Sequence, residues 1–261
     1  MEEKLILALL VLAHFLADFV FQSDEVASKK KEKLRYLIKH IFGVFITYFV
    51  FIFIFFSIRL FIIITIITIT HFIIDLYKIF LEKEGVSEIH AFFLDQFLHI
   101  TVILFIYPFL IYSSVHGMIQ EIFSVFIYYY PILDNVNIYS TYGIIIIVTA
   151  YIFVWKPGSH IVEKTLKNYK ISKPESSREI LINNQKETAN PGELIGKLER
   201  VLLLSFIISN NFLAISIIFT AKSVARFSNF KDKDFANYYI IGTLISLLIA
   251  MGVGFLVDLL I

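Results

Sequence analysis

Three short stretches set ionisable side chains at helical spacing inside runs that are otherwise apolar. THFIIDLYK carries His71, Asp75 and Lys78, and FLDQFLH carries Asp95 and His99. Near the start, AHFLADFVFQ repeats the first pattern with His14, Asp18 and Gln22. Spacings of four and seven put each set on one helix face. An ionisable group in a spanning helix costs about 2.5–3.5 kcal/mol on insertion scales, so three such sets point to a shared use. Neutral imidazole and carboxylate are the ligand set for zinc, manganese or iron, and helix bundles build such sites from facing helices. A metal with open positions ionises water beside the lipid headgroups. Without metal, each Asp can accept from its His and hold it as a general base.

The candidate metal ligands are therefore His14, Asp18, His40, His71, Asp75, Asp95 and His99, and no organic cofactor is implied. Asp75, Lys78 and Asp95 are the candidate catalytic groups, with Lys78 suited to phosphate. Depth along the helices supports one site. Counted from Asp24, Glu82 and Glu88 at the inner boundary, Asp18, Asp75 and Asp95 all lie about 9–11 Å in, and His14, His71 and His99 about 15–17 Å in. Helices one and three run inward and helix four outward, which reverses HxxxD into DxxxH. His40 opens helix two on the same side, and Gln22, Lys78 and Gln96 sit near the mouth. Against this stands the plainer reading that any one His/Asp turn is a satisfied interhelical hydrogen bond or ion pair.

The elements that must position these residues are membrane helices. The chain has 261 residues, is 58% hydrophobic and has a mean hydropathy of +0.78, far above ordinary soluble usage. The expected fold is all-α, a polytopic transmembrane bundle. A span needs about 20 residues, and seven are expected, near 4 to 23, 37 to 57, 60 to 81, 89 to 114, 138 to 156, 197 to 221 and 237 to 260. The organisation follows as a four-helix core at 1–114, an outer interfacial segment with the fifth span at 115–156, a polar linker at 157–190, and a C-terminal helical pair at 191–261.

A formal charge of +1 gives no field for nucleic acid, and with no Cys disulfides and thiolate ligands are excluded. The first loop holds Lys29, Lys30, Lys31, Lys33 and Arg35, so the positive-inside rule makes it cytoplasmic and the N-terminus external in a cell-membrane protein. The same run, Lys29 to Arg35, suits anionic lipids. Gly85 marks a turn and Ser87 a cap. Pro131, Asp134, His116 and Tyr128 to Tyr130 fall in the outer segment. A capping box is expected at Ser172 to Glu175, and a helix start at Asn190-Pro191-Gly192-Glu193. Lys222, Arg226, Lys231 and Lys233 contradict the sevenfold count, which puts their loop outside. Glu199 and Arg200 lie a full span from Lys222 and Arg226, too far to pair if that helix is straight.

HFLADFVFQ, the basic loop, His40, THFIIDLYK and FLDQFLH together resemble the bacterial membrane family called domain of unknown function 3307, over about residues 5 to 105. GELIGKLERVL, AKSVARF and YYIIGTLIS resemble its longer members. The resemblance implies an integral membrane protein and carries no settled activity. A fainter likeness, limited to His and Asp on membrane helices, is to membrane-bound metal-dependent hydrolases. The expectation is thus a metal-dependent hydrolase working on a lipid or amphiphile from the cytoplasmic side. The alternatives are a transporter or ion pathway through the same residues, and a structural or partner-binding protein with 157–190 as its docking surface; a protein partner or a homo-oligomer is compatible with each.

Overall fold

The computed structural model describes residues 2–111, 117–130, 138–167 and 191–261. His116, Pro131, Asp134, the box at Ser172 and the cap at Asn190 lie outside the described residues. The described chain is all helix, without a strand. It divides into two compact units, Met1–Thr149 and Ala150–Ile261.

In the first unit α1 (Glu2–Phe15) passes directly into a π-helical turn, Leu16–Val20, closed by Phe21 N–H donating to the Leu16 carbonyl at 2.8 Å. A short α2 (Asp24–Lys29) follows, capped by Ser23, whose hydroxyl accepts from Val26 N–H. Then come α3 (Leu34–Ile52), α4 (Ile58–Lys83) and α5 (Glu88–Phe105). Ser57 caps α4 by accepting from Leu60 N–H, which makes the step between α3 and α4 the tight hairpin expected there. Helix α4 ends in a Schellman closure. Val86 N–H reaches the Leu81 carbonyl, Gly85 N–H reaches Glu82, and Gly85 takes the left-handed φ of 88°. Ser87 stands at the α5 N-cap, but its hydroxyl engages His90 Nδ1 and leaves the backbone uncapped.

Helices α1, α3, α4 and α5 close on an apolar core that includes Ile6, Leu10, Val44, Tyr48, Ile52, Leu60, Ile64, Ile67 and Ile103. Their outer faces keep Phe42, Val50, Ile62, Phe97 and Phe105 exposed. A contiguous apolar exterior of this kind marks lipid contact. Two more helices, α6 (Gly117–Tyr129) and α7 (Ile138–Trp155), follow, and Tyr128 and Tyr129 are exposed.

The second unit holds α8 (Pro157–Leu166), α9 (Pro191–Ile208), α10 (Phe212–Ala225) and α11 (Lys233–Leu260). Residues 157–166, expected as the start of a polar linker, are a helix with Pro157, Ile161 and Leu166 buried. The single span expected at 197 to 221 is two helices. Asn210 adopts φ 54°, Asn211 N–H returns to the Phe206 carbonyl, and the Asn211 side chain then caps α10 by accepting from Ala214 N–H. One asparagine ends a helix and the next begins another.

This break overturns the separation of Glu199 from Lys222, which form an ion pair at 2.5 Å between α9 and α10. Arg200 is buried, donating to the Val154 carbonyl at 2.8 Å and to the Ser159 hydroxyl. Five stretches are long and apolar enough to cross a bilayer among the described residues: Leu34–Phe55, Ile58–Lys83, Glu88–Leu110, Thr141–Leu166 and Lys233–Leu260. Seven are expected from the sequence; among the described residues the regular α-helix that opens the chain gives way to the π-turn after Phe15, and the 197 to 221 segment is interrupted at Asn210.

On α11, Ser246, Ala250 and Gly254 form a buried stripe of small residues at four-residue spacing, with Leu203 and Ile207 of α9 in the same packed cluster as Ala250. Helix association in lipid relies on such close approach. A Cβ on Gly254 would collide with the Ile207 side chain and sit 3.1 Å from its Cβ. Gly254→Ala should cost about 1–3 kcal/mol by overpacking, and Ile207→Ala in the same chain should recover most of it. Thermal unfolding of the single and double variants in detergent checks this; equal losses in both would contradict the contact.

Candidate metal centre

Seven side chains from four helices and one π-turn meet in the first unit. His14 closes α1, Asp18 sits in the π-turn, His40 lies one turn and a half into α3, His71 and Asp75 lie on α4, and Asp95 and His99 on α5. Six of them are buried, His14 completely, and Asp18 is partly buried. The π-turn inserts one residue into the helical ladder just where Asp18 must turn inward, a placement typical of functional sites.

Oδ1 of Asp18 lies 3.3 Å from His40 Nε2 and 3.3 Å from His71 Nε2, and those two nitrogens are themselves 3.3 Å apart. Asp75 Oδ2 stands 3.5 Å from His40 Nε2 and 3.9 Å from His71 Nε2. On the other side of Asp18, Oδ2 is 3.9 Å from His14 Nε2. His14, Asp18 and His99 form a second group whose ligating atoms lie within 4.8 Å of one another. Carboxylates and imidazoles interleave here, so the two separate layers expected from helical rise merge into one.

The surrounding hydrogen bonds orient the rings. With its amide oxygen turned inward, Gln22 accepts from His40 Nδ1 at 3.2 Å and from Lys30 Nζ at 3.1 Å. His99 Nδ1 donates to the Asp95 carbonyl at 2.8 Å. Each bond puts the proton on Nδ1 and leaves Nε2 bare, the arrangement by which a second shell prepares a metal-ligating histidine. His14 Nε2 lies 3.3 Å from Gln96 Oε1. Seven buried side-chain polar atoms lack a hydrogen-bond partner among the described residues, and five belong to this site: His14 Nδ1, Asp18 Oδ1, His71 Nδ1, Asp95 Oδ1 and His99 Nε2. Buried polar atoms are ordinarily paired, so this concentration requires an explanation.

Two lysines hold the remaining carboxylates. Lys30 Nζ contacts both oxygens of Asp75 at 3.2 and 3.0 Å, and Lys78 Nζ donates to Asp95 Oδ2 at 2.7 Å, where Gln96 Nε2 also donates at 3.0 Å. The role of Lys30 is not visible in sequence, where it is one of five basic residues read as a lipid and topology anchor. Nothing in KKKEK separates the lysine that folds inward from those that stay out. Lys31 likewise pairs with Glu82 at 2.6 Å. Outside the membrane, Glu25 accepts from Lys29 and Tyr36, which holds its carboxyl below the usual glutamate range and fastens α2 to the start of α3.

In comparisons with known proteins, the family model described as protein of unknown function (DUF3307) matches residues 6–128, a range that contains every residue of the site. No curated protein and no solved structure matches the chain.

Proposed function

Residues 6–128 place this chain in the DUF3307 family of proteins of unknown function, and from that premise and the His and Asp cluster we propose a membrane-embedded, metal-dependent hydrolase that acts on a lipid or other amphiphile from the cytoplasmic side. One observation carries the reading. A tetrahedral ion with ligand bonds of about 2.0–2.1 Å holds its donor atoms about 3.3 Å apart, which is the spacing of Asp18 Oδ1, His40 Nε2 and His71 Nε2. While the imidazoles are neutral and His40 keeps its proton on Nδ1, one N–H of His71 is the only proton among these three atoms, and it serves one of the other two at a time. A divalent ion such as zinc, manganese or iron satisfies all three.

Such an ion supplies Lewis acidity and an acidified water. This chain's residues do the rest. Asp75 and Asp95 are placed to take a proton, and Lys30 and Lys78, released from them, to grip an anionic group of the substrate. The loop of Lys29 to Arg35 reaches the site through Lys30 at Asp75, and Lys33 and Arg35 in it stay exposed for anionic headgroups. The charge of that loop supports the cytoplasmic orientation.

A transport pathway through the same residues is less well supported. Beyond the histidines the bundle is filled by Tyr48, Ile52, Leu60 and Ile64, and Thr47 and Thr68 donate their hydroxyls to their own helix carbonyls.

The test is the metal content of detergent-purified protein, followed by hydrolysis of ester and phosphoester lipids in mixed micelles. Wild type should retain metal, and His40→Ala and His71→Ala should each hold less of it and lose turnover. Binding should weaken as pH falls, because the ligands must shed protons. Unchanged metal content in both variants, or metal without hydrolysis of any lipid class, would defeat the corresponding half of the reading.

A further inference from the structure

Asp18 presents its two oxygens to two different histidine pairs, and the pairs are distinguished by geometry. With an imidazole centroid about 3.2 Å from a tetrahedral ion, two rings on one ion have centroids about 5.2 Å apart. His40 and His71 are 5.3 Å apart, and His14 and His99 are 4.8 Å apart. His71 and His99, at 4.0 Å, are too close to share one ion. His14 also lies 5.6 Å from His71, so ring distances alone leave its partner open; the ligating atoms decide it, grouping His14 with His99 and His40 with His71, with Asp18 in both groups.

The second pair carries its own signs of a ligand. His99 is buried, its Nδ1 is committed to the Asp95 carbonyl, and its Nε2 has no partner. His14 is completely buried, with Nε2 3.9 Å from Asp18 Oδ2. The same nitrogen meets the Gln96 side-chain amide oxygen, which must release the ring for Nε2 to turn to an ion. Around the two pairs the supporting residues repeat. Lys30 holds Asp75 beside the first pair, and Lys78 holds Asp95 beside the second. The glutamines differ: Gln22 holds His40 at Nδ1, whereas Gln96 meets His14 at Nε2.

We propose that the centre is dinuclear: Asp18 bridges two divalent ions, one held with His40 and His71 and the other with His14 and His99. This rests on the metal reading given above and adds the second ion to it. Two ions sharing a carboxylate, about 3.5–4 Å apart, suit the clamping of both the attacking and the leaving oxygen in displacement at phosphorus. The substrate class narrows to phosphoesters of amphiphiles.

The experiment uses the full chain in detergent, stripped with chelator and titrated with Mn²⁺ alone. Binding is followed by calorimetry and by electron paramagnetic resonance. Wild type should take up about two ions per chain and show the exchange-coupled spectrum of a close pair. His99→Ala and the volume-preserving His14→Gln should each take up one ion with an uncoupled spectrum, and His40→Ala should do the same from the other side. One uncoupled ion in the wild type would overturn the bridge and leave a mononuclear centre standing. No bound ion in the wild type would overturn both readings.

Discussion

Asp18→Asn should melt at a higher temperature than the wild type without metal and gain nothing when metal is added. Both signs come from the same three atoms. In the wild type Asp18 Oδ1 faces two imidazole nitrogens at 3.3 Å and accepts no aligned hydrogen bond. An asparagine amide keeps the shape and brings two N–H donors, so an acceptor crowded among acceptors becomes a donor to His40 Nε2. Pairing a previously unsatisfied buried group is worth about 1–3 kcal/mol.

The same change removes the ligand common to both histidine pairs. A metal at a thousandfold excess over its dissociation constant stabilises the wild type by about 4 kcal/mol, and the variant should lose essentially all of that. Thermal unfolding by scanning calorimetry, with chelator and with metal, reads the crossing. A variant less stable than wild type without metal, yet shifted by metal to the same extent, would show that Asp18 is only a structural hydrogen-bonding residue.

The second large effect is an asymmetry across the Lys30–Asp75 pair. Both side chains are nearly shielded from solvent, at 10% and 2% exposure. Removing one member of such a pair costs about 3–5 kcal/mol when the other charge has nowhere to go. Lys30 follows the short α2 on the loop side and can swing its ammonium to the surface, whereas Asp75 lies mid-helix on α4 with no such exit. Lys30→Met should therefore cost the full amount, Asp75→Leu clearly less, and the double variant should fall near the milder single. Added metal should rescue Lys30→Met more than Asp75→Leu, because Asp75 can turn its stranded charge to the ion. Equal costs for the two single variants, unmoved by metal, would leave the pair as a simple tether of the loop.

Much of the centre is legible in sequence because helices impose it. HxxxD and DxxxH fix one face, and counting rise from Asp24, Glu82 and Glu88 fixes a common depth, which is how His14, His71 and His99 come to share a neighbourhood. Three things are not legible. The π-turn at Leu16–Val20 carries neither Gly nor Pro, so nothing in LADFV announces the extra residue that turns Asp18 inward. Lys30 is hidden among like neighbours, and only the placement of α2 separates it from Lys33. The break at Asn210 was masked by hydropathy, since VLLLSFIISNNFLAISIIF stays apolar on both sides of two small polar residues. Asn at a left-handed position is a weaker signal than Gly, because either residue of the pair could have been an ordinary polar contact.

That turn also bears on a conflict of sign. A straight rod through 197 to 221 would carry Lys222 and Arg226 to the face opposite Pro191, against the bias that keeps basic residues on one side of a membrane. Because α9 and α10 fold back on each other at Asn210, Lys222 comes to lie beside Glu199 near the start of α9 instead of a full helix length away. The charge of Lys222 is thereby met within its own hairpin, by a carboxylate that a straight rod would have left without it.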